Sequence, residues 1–142
     1  MSFSYEYPRP AVTVDVILIT KEVSPKVLLI QRKFDPYKDN WAFPGGFLDM
    51  DEDLHVAAMR ELEEETSIKN ITLTQFKTYG AVERDPRGRT VSVVYYAFID
   101  EQLKATAMDD AKNAEWFDLK QMPRLAFDHQ TIIDDFKLHF KL

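Results

Sequence analysis

The chain has 142 residues, no cysteine and a net charge of −6, with 45% hydrophobic and 30% charged residues. That is one soluble globular domain, too short for two ordinary ones, with no disulfide, thiolate metal site or cysteine nucleophile open to it. The acidic balance argues against nucleic-acid binding, which draws its affinity from basic residues meeting phosphates. The opening MSFSYEYPRP has neither a basic n-region nor an apolar h-region, and no apolar run reaches membrane length. A cytoplasmic protein that engages neither membrane nor nucleic acid is expected.

Residues 1–10 are aromatic and proline-rich and read as an extended arm, packed on the body or on another subunit. AVTVDVILIT, residues 11–20, is rich in β-branched residues and reads as a strand, interrupted by Asp15. A turn at Ser24-Pro25 leads to a second strand, KVLLIQRK, so the pair reads as a hairpin. The turn-rich FDPYKDN and then Trp41-Ala42-Phe43-Pro44 deliver the chain to a tight turn at Gly45-Gly46. A helix is predicted from near Asp51–Asp53 to near Ser67, capped by Asp49 or Asp51, with Ala58, Met59 and Leu62 as its apolar stripe. ITLTQFKTYGAVE and RTVSVVYYAFI read as long strands joined by a turn at ERDPRGR. A short strand is predicted over 103–107, and AEWFD, residues 114–118, returns to the sheet. Met122-Pro123 breaks the chain before a helix over 128–140, with Asp128 a good N-cap and Ile132, Ile133, Phe136 and Phe140 at helical spacing. Mixed strands flanked by two helices make an α/β sandwich, a single domain over residues 1–142.

The chemistry is concentrated in the central helix. Glu61, Glu63, Glu64 and Glu65 fall within five positions. A helix advances about 100° per residue, so Glu61, Glu64 and Glu65 share one face while Glu63 points away. Like charges at these spacings repel, and they sit at the helix end where the macrodipole disfavours negative charge. Most such runs are merely solvated, and on the glutamates alone that is the better account. The other account is a compensating hard cation, Mg²⁺ or Mn²⁺, which takes oxygen ligands and bridges to phosphates.

The neighbouring residues tip the balance. Gly46, five residues, Glu52, seven residues and then Arg60-Glu61-Leu62-x-Glu64-Glu65-x-Ser67-Ile68 resemble, in register, the signature Gx5Ex7REUxEExGU of the Nudix hydrolase family. Eight fixed positions match and one departs. The family has glycine at Ser67, where it closes the helix in a left-handed conformation. The resemblance implies a Nudix-type α/β/α sandwich and metal-activated hydrolysis of a nucleoside diphosphate linked to another moiety. It implies Glu61, Glu64, Glu65 and the Gly46 carbonyl as ligands of Mg²⁺ or Mn²⁺. Arg60 would orient the carboxylates, while Glu52 and Gly45 support the turn and helix. Glu61 or Glu64 could assist as general base. Glu83, Asp85, Asp109, Asp110 and Glu115 are open alternatives from outside the signature.

YPRPAVTVDVI, RDPRGRTVSVVYYAF and LAFDHQTII further resemble the ADP-ribose pyrophosphatase branch, which splits ADP-ribose to AMP and ribose 5-phosphate. Homodimers are common in that branch, and the aromatic arm is a candidate to cross between subunits. Arg84, Arg87 and Arg89 are candidates for phosphate or ribose, against even odds that they only solvate a hairpin tip. Tyr37, Trp41, Phe43 and Tyr79 are candidates to stack on adenine, at least two of them better read as core. His55 and His129 read as structural, His55 nearer the apolar side of its helix. The alternatives are a ligand-sensing Nudix-like domain of the kind found in transcription regulators, or a hydrolase of another nucleoside diphosphate or sugar nucleotide. Those regulators tend to lose signature glutamates, all present here, and carry a DNA-binding domain after a segment like LAFDHQTII, nine residues beyond which this sequence stops.

Overall fold

The computed structural model describes residues 2–142; Met1, the first residue of the predicted arm, lies outside them. In chain order the elements are β1 (Ala11–Thr20), β2 (Lys26–Arg32), β3 (Trp41–Ala42), β4 (Gly45–Phe47), α1 (Leu54–Thr66), β5 (Thr74–Tyr79), β6 (Thr90–Ile99), β7 (Ala111–Asp118) and α2 (His129–Phe140). The strands form one mixed sheet with β1 at its centre. β1 runs parallel to β6 along its whole length, from Ala11 opposite Thr90 to Thr20 opposite Ile99.

Side chains alternate across a strand, and β1 uses both faces. Val14, Val16 and Leu18 pack with Leu28, Ala57, Ala58 and Leu62 beneath α1. Ile17 and Ile19 pack with Leu29, Ile132, Ile133 and Phe136 beneath α2. A helix on each face explains why β1 reads as a near-continuous apolar run. It also makes the α/β/α sandwich that the sequence predicts. Among the described residues no helix is long and apolar enough to cross a membrane.

The predicted hairpin forms, but only at its turn end. β1 meets β2 antiparallel at Ile19 opposite Val27. At its other end the same edge pairs instead with β4, with Val14 opposite Gly46 and Asp15 opposite Gly45. β2 diverges to pair with β7, from Lys26 opposite Asp118 to Arg32 opposite Ala111. This change of partner along one edge of β1 parts the sheet beside Asp15.

Several local expectations are corrected. β5 begins at Thr74, leaving 71–73 outside the strand. Residues 103–107 form no strand; Thr106 N–H donates to the Thr66 carbonyl and Met108 N–H to that of Glu65. Helix ends leave carbonyls without partners, and this segment supplies them for α1. Neither Asp49 nor Asp51 caps α1. Asp53 holds the N-cap position without a side-chain bond, while Asp49 leans toward Arg60 at 3.6 Å. Met59 is 40% exposed, so the inner stripe of α1 is Ala57, Ala58 and Leu62. His55 is exposed rather than apolar-facing. Asp128 sits at the N-cap of α2 but makes no capping bond, because its carboxylate is clasped by Arg84. Residues 2–10 of the arm are exposed and form no strand, with Arg9 folded over the Tyr5 ring at 4.0 Å.

Ser67 ends α1 at φ 65°, in the left-handed region, with its N–H on the Glu63 carbonyl. Serine therefore adopts the conformation for which glycine is the low-cost residue. Ser67→Gly is expected to raise stability by about 1 kcal/mol, read as a higher urea midpoint with an unchanged slope.

Candidate active site

Where β1 changes partner, a cleft of about 750 Å³ opens. β1 contributes Asp15, β4 contributes Gly45 to Phe47, and the last two turns of α1 contribute Glu61, Glu64 and Glu65. Helical periodicity thus places the three carboxylates on one wall, while Glu63 is exposed elsewhere.

Arg60 organises that wall. Its Nε donates to Glu52 Oε2 at 2.9 Å and its Nη2 to Glu52 Oε1 at 2.6 Å, a forked pair. Its Nη1 donates to Glu61 Oε1 at 2.9 Å and Glu64 Oε2 at 3.1 Å, and its Nη2 reaches the Phe47 carbonyl at 3.2 Å. Glu52 also accepts the Asp49 N–H, so one carboxylate ties the loop before α1 to the arginine. Hydrogen bonding from Arg60 holds the Glu52 carboxyl below its ordinary range.

The glycines admit close approach. A Cβ on Gly45 would stand 2.2 Å from the Val14 carbonyl oxygen, and one on Gly46 would stand 2.6 Å from the Glu61 carboxyl carbon. Gly45 N–H donates to Glu65 Oε1 at 2.7 Å. Burial nevertheless pushes the Glu65 carboxyl up to about 8; the Gly45 bond opposes this, and the charges of Glu61 and Asp15 add to it. Burial also raises Glu61, with Arg60 opposing.

The cleft is also lined by cations. Arg32, Lys33, Arg84 and Arg87 all line the cleft. Arg84 is fixed by two bonds to Asp128, at 2.9 and 2.7 Å. Arg87 is fixed by two side-chain bonds to Asp85, at 3.1 and 2.8 Å. Burial alone would raise the Asp85 carboxyl, but the bonds from Arg87 outweigh it and hold it low.

The predicted residues therefore divide. Gly45, Gly46, Arg60, Glu61, Glu64, Glu65, Arg84 and Arg87 share the cleft. Glu52 stands behind Arg60. Arg89 does not line the cleft; its Nη1 donates to the Gly80 and Ala81 carbonyls. Of the alternative bases, Asp85, Asp109 and Asp110 line the cleft and Glu83 and Glu115 do not. Phe43 and Tyr79 are core residues and Trp41 packs against the same cluster, while Tyr37 is 39% exposed beside Phe127.

Sequence reasoning missed His129 and Asp15 as parts of the cleft. His129 is buried; its Nδ1 accepts the Phe43 N–H at 3.1 Å and its Nε2 lies 3.7 Å from Asp15 Oδ1. Burial pushes the imidazole down, so it is neutral, with the proton on Nε2 facing Asp15. Asp15 also accepts from Ser92 Oγ. The one hint in sequence was the charged residue inside the apolar run of β1.

Residues 9–136 match the family model described as the NUDIX domain. The chain belongs to the Nudix family. It is 44% identical over 131 residues to the ADP-ribose pyrophosphatase of Methanocaldococcus jannaschii, spanning 92% of this chain and 75% of that one. It is 38% identical over 133 residues to the ADPR responsive transcriptional repressor NtrR of Acinetobacter baylyi, covering 90% of this chain and about half, 53%, of the repressor. Among solved structures, the NUDIX domain of Shewanella oneidensis NrtR complexed with ADP ribose is similar with a TM-score of 0.85 at 34% identity, covering 94% of this chain and 90% of that one. A bifunctional NMN adenylyltransferase/ADP ribose pyrophosphatase from Francisella tularensis, complexed with AMP and a Mn ion, gives 0.81 at 35% identity, over 95% of this chain and 43% of that one.

Nudix hydrolases use divalent metals, and the donor chemistry here suits one: three carboxylates beside a glycine that leaves the backbone open. Among the described residues no three His, Cys, Asp or Glu side chains are gathered as an ion requires. Glu61 and Glu64 are turned onto Arg60 and Glu65 onto Gly45.

Because the Glu65 carboxyl is raised, the folded chain binds a proton that the unfolded chain has already lost. Its stabilising effect is full below pH 4.5 and is lost as pH rises through about 8. The metal-free protein is expected to melt at progressively lower temperature across that interval, and Glu65→Gln is expected to flatten the profile in calorimetric scans.

Proposed function

We propose that the chain is a divalent-metal-dependent pyrophosphohydrolase that cleaves ADP-ribose to AMP and ribose 5-phosphate. The observation that carries this reading is the company of charges: Glu61, Glu64 and Glu65 line one cleft together with Arg32, Arg84 and Arg87. A diphosphate suits such a lining, held on metal ions at the carboxylates and by positive charge from the guanidiniums. Similarity to an ADP-ribose pyrophosphatase over most of the chain supports the same substrate.

Mg²⁺ or Mn²⁺ held by Glu61, Glu64, Glu65 and the Gly46 carbonyl would polarise the phosphate oxygens and make water nucleophilic at neutral pH. The protein's own contribution is placement and charge. Arg60 and Glu52 fix the turn that presents the carboxylates. Arg84, anchored by Asp128, presents a guanidinium at a fixed position to the diphosphate, where charge grows as the bridging P–O bond breaks. The oxygen of water bonds to one phosphorus, the bridging oxygen departs with the other, and one proton is released. Asp85 is engaged by Arg87, so Asp109 and Asp110 are the candidates to take the proton, with Glu61 or Glu64 once Arg60 releases them.

A sensor reading has one observation in its favour, the likeness to an ADPR-responsive repressor. The complete carboxylate set favours hydrolysis.

Glu64→Gln and Glu65→Gln are expected to lower ADP-ribose turnover with Mg²⁺ by about a hundredfold or more, with circular dichroism unchanged. Undiminished turnover would remove the ligand assignment. Tight binding of ADP-ribose by the unaltered chain, without hydrolysis in Mg²⁺ or Mn²⁺, would favour the sensor.

A further inference from the structure

His129 is buried in the cleft and takes no part in the proposed hydrolysis. A buried imidazole is defined by what its two nitrogens meet. Nδ1 accepts the Phe43 N–H at 3.1 Å and so carries no proton, and the Nε2 proton faces Asp15 Oδ1 at 3.7 Å. The ring is also stacked on that of Phe43, with 5.0 Å between centres and 26° between planes.

Both contacts lead to the glycine turn. Phe43 stands two residues before Gly45, and the intervening Pro44 has no N–H with which to be anchored. Three bonds hold this stretch: the Phe43 N–H on His129, the Val16 N–H on the Pro44 carbonyl at 2.8 Å, and the Gly45 N–H on Glu65 at 2.7 Å. Asp15 stands opposite Gly45 in the register, so close that a Cβ on Gly45 would meet its Oδ1 at 2.4 Å. His129 therefore borders the turn twice, through the amide before it and through the carboxylate pressed against it. The approach to α2 runs along the same stretch: Trp41 N–H donates to the Arg124 carbonyl at 3.1 Å, and Ala126 N–H to the Trp41 carbonyl at 2.8 Å. Asp128 clasps Arg84, so the start of α2 serves a guanidinium with one residue and the glycine turn with the next.

We propose that His129 is a positioning residue for the divalent metal: its Nδ1, as acceptor of the Phe43 N–H, sets where the turn places the Gly46 carbonyl against Glu61 and Glu65. The proposal rests on the reading of Gly46, Glu61 and Glu65 as metal ligands. It acts through the backbone, and His129 is not itself a ligand. The turn is closely matched to the helix, since a Cβ on Gly46 would stand 2.6 Å from the Glu61 carboxyl carbon. A small displacement of the turn is therefore felt where the carbonyl and the carboxylates must meet one ion.

The test uses the full chain and Mn²⁺, whose free fraction is read by electron paramagnetic resonance with no need for turnover. His129→Asn keeps an oxygen at the same covalent distance from Cβ as Nδ1. His129→Gln carries its oxygen one carbon farther out, and His129→Leu has no acceptor. Mn²⁺ is expected to bind the asparagine variant as tightly as the unaltered chain. The leucine and glutamine variants are expected to bind it about tenfold more weakly, the scale met when a group that orients a metal ligand is removed. In these two the Phe43 amide hydrogen is expected to exchange faster with solvent, and in the asparagine variant it is not. Where leucine spoils folding, the comparison of asparagine with glutamine, amide against amide, reads the acceptor position alone. Unchanged Mn²⁺ affinity in His129→Gln, equal weakening in His129→Asn, or no Mn²⁺ binding by the unaltered chain would each overturn the role. Mn²⁺ affinities in the expected order without any ADP-ribose hydrolysis would sink the pyrophosphohydrolase reading and leave the role standing.

Discussion

Three carboxylates on the last turns of a helix repel each other and the helix dipole, and the guanidinium of Arg60 is what makes the arrangement tolerable. Its contacts are not equivalent. Glu64 is half-exposed, and an i,i+4 pair of that kind contributes a few tenths of a kcal/mol. Glu52 and Glu61 are nearly buried, and there the forked geometry matters. Glu52 takes two of the arginine's donors and is itself gripped by the Asp49 N–H. The arginine is thereby anchored from behind, on the loop side, and its remaining Nη1 is offered forward to the carboxylates. The spacing of Glu52 and Arg60 in the signature is the spacing needed to close that loop onto the helix.

The second constraint is the partition of charge. Beside Arg60, a chain of net charge −6 places four more of its cations, Arg32, Lys33, Arg84 and Arg87, around one cleft. Each of the last two is neutralised by its own aspartate, Asp128 or Asp85, which lets a guanidinium be held rigidly without a large unpaired charge. An acidic protein can then hold an anion without a broadly basic surface.

The signature was legible because its meaning is local. Fixed offsets within one turn and one helix determine which side chains converge, and Glu52, Arg60, Glu61, Glu64 and Glu65 stand as those offsets imply. The sandwich was legible for the same reason: period-two alternation in β1 and helical spacing in α2 each report on a single element. His129, Asp15, Phe47 and Phe127 were not legible in this way. They meet because β1 exchanges β2 for β4 halfway along one edge, and because the start of α2 is delivered beside that gap. Long-range pairing of this sort leaves no periodic trace. Asp128 shows the cost of reading locally: its position is that of an N-cap, but a buried arginine 44 positions earlier, Arg84, claims the carboxylate. Arg89, in the same loop as three cleft residues, points to carbonyls of its own turn.

The one departure from the signature, Ser67, sits where the helix must reverse immediately after its last carboxylate. A left-handed serine costs about 1–2 kcal/mol relative to an unstrained residue, and that strain lies two residues from Glu65. It does not reach Glu65 because the helix end is held from outside. The carbonyls of Glu65 and Thr66 accept N–H groups from Met108 and Thr106, and the Thr66 hydroxyl folds back onto the Leu62 carbonyl at 2.6 Å. Ser67 N–H completes the set on Glu63. Four bonds over the final turn fix the direction in which Glu65 leaves the helix, whatever the side chain at 67. The chain around 106–108, whose first two residues fall in the strand predicted over 103–107, instead straps the helix end, and it leads directly into Asp109 and Asp110 at the cleft.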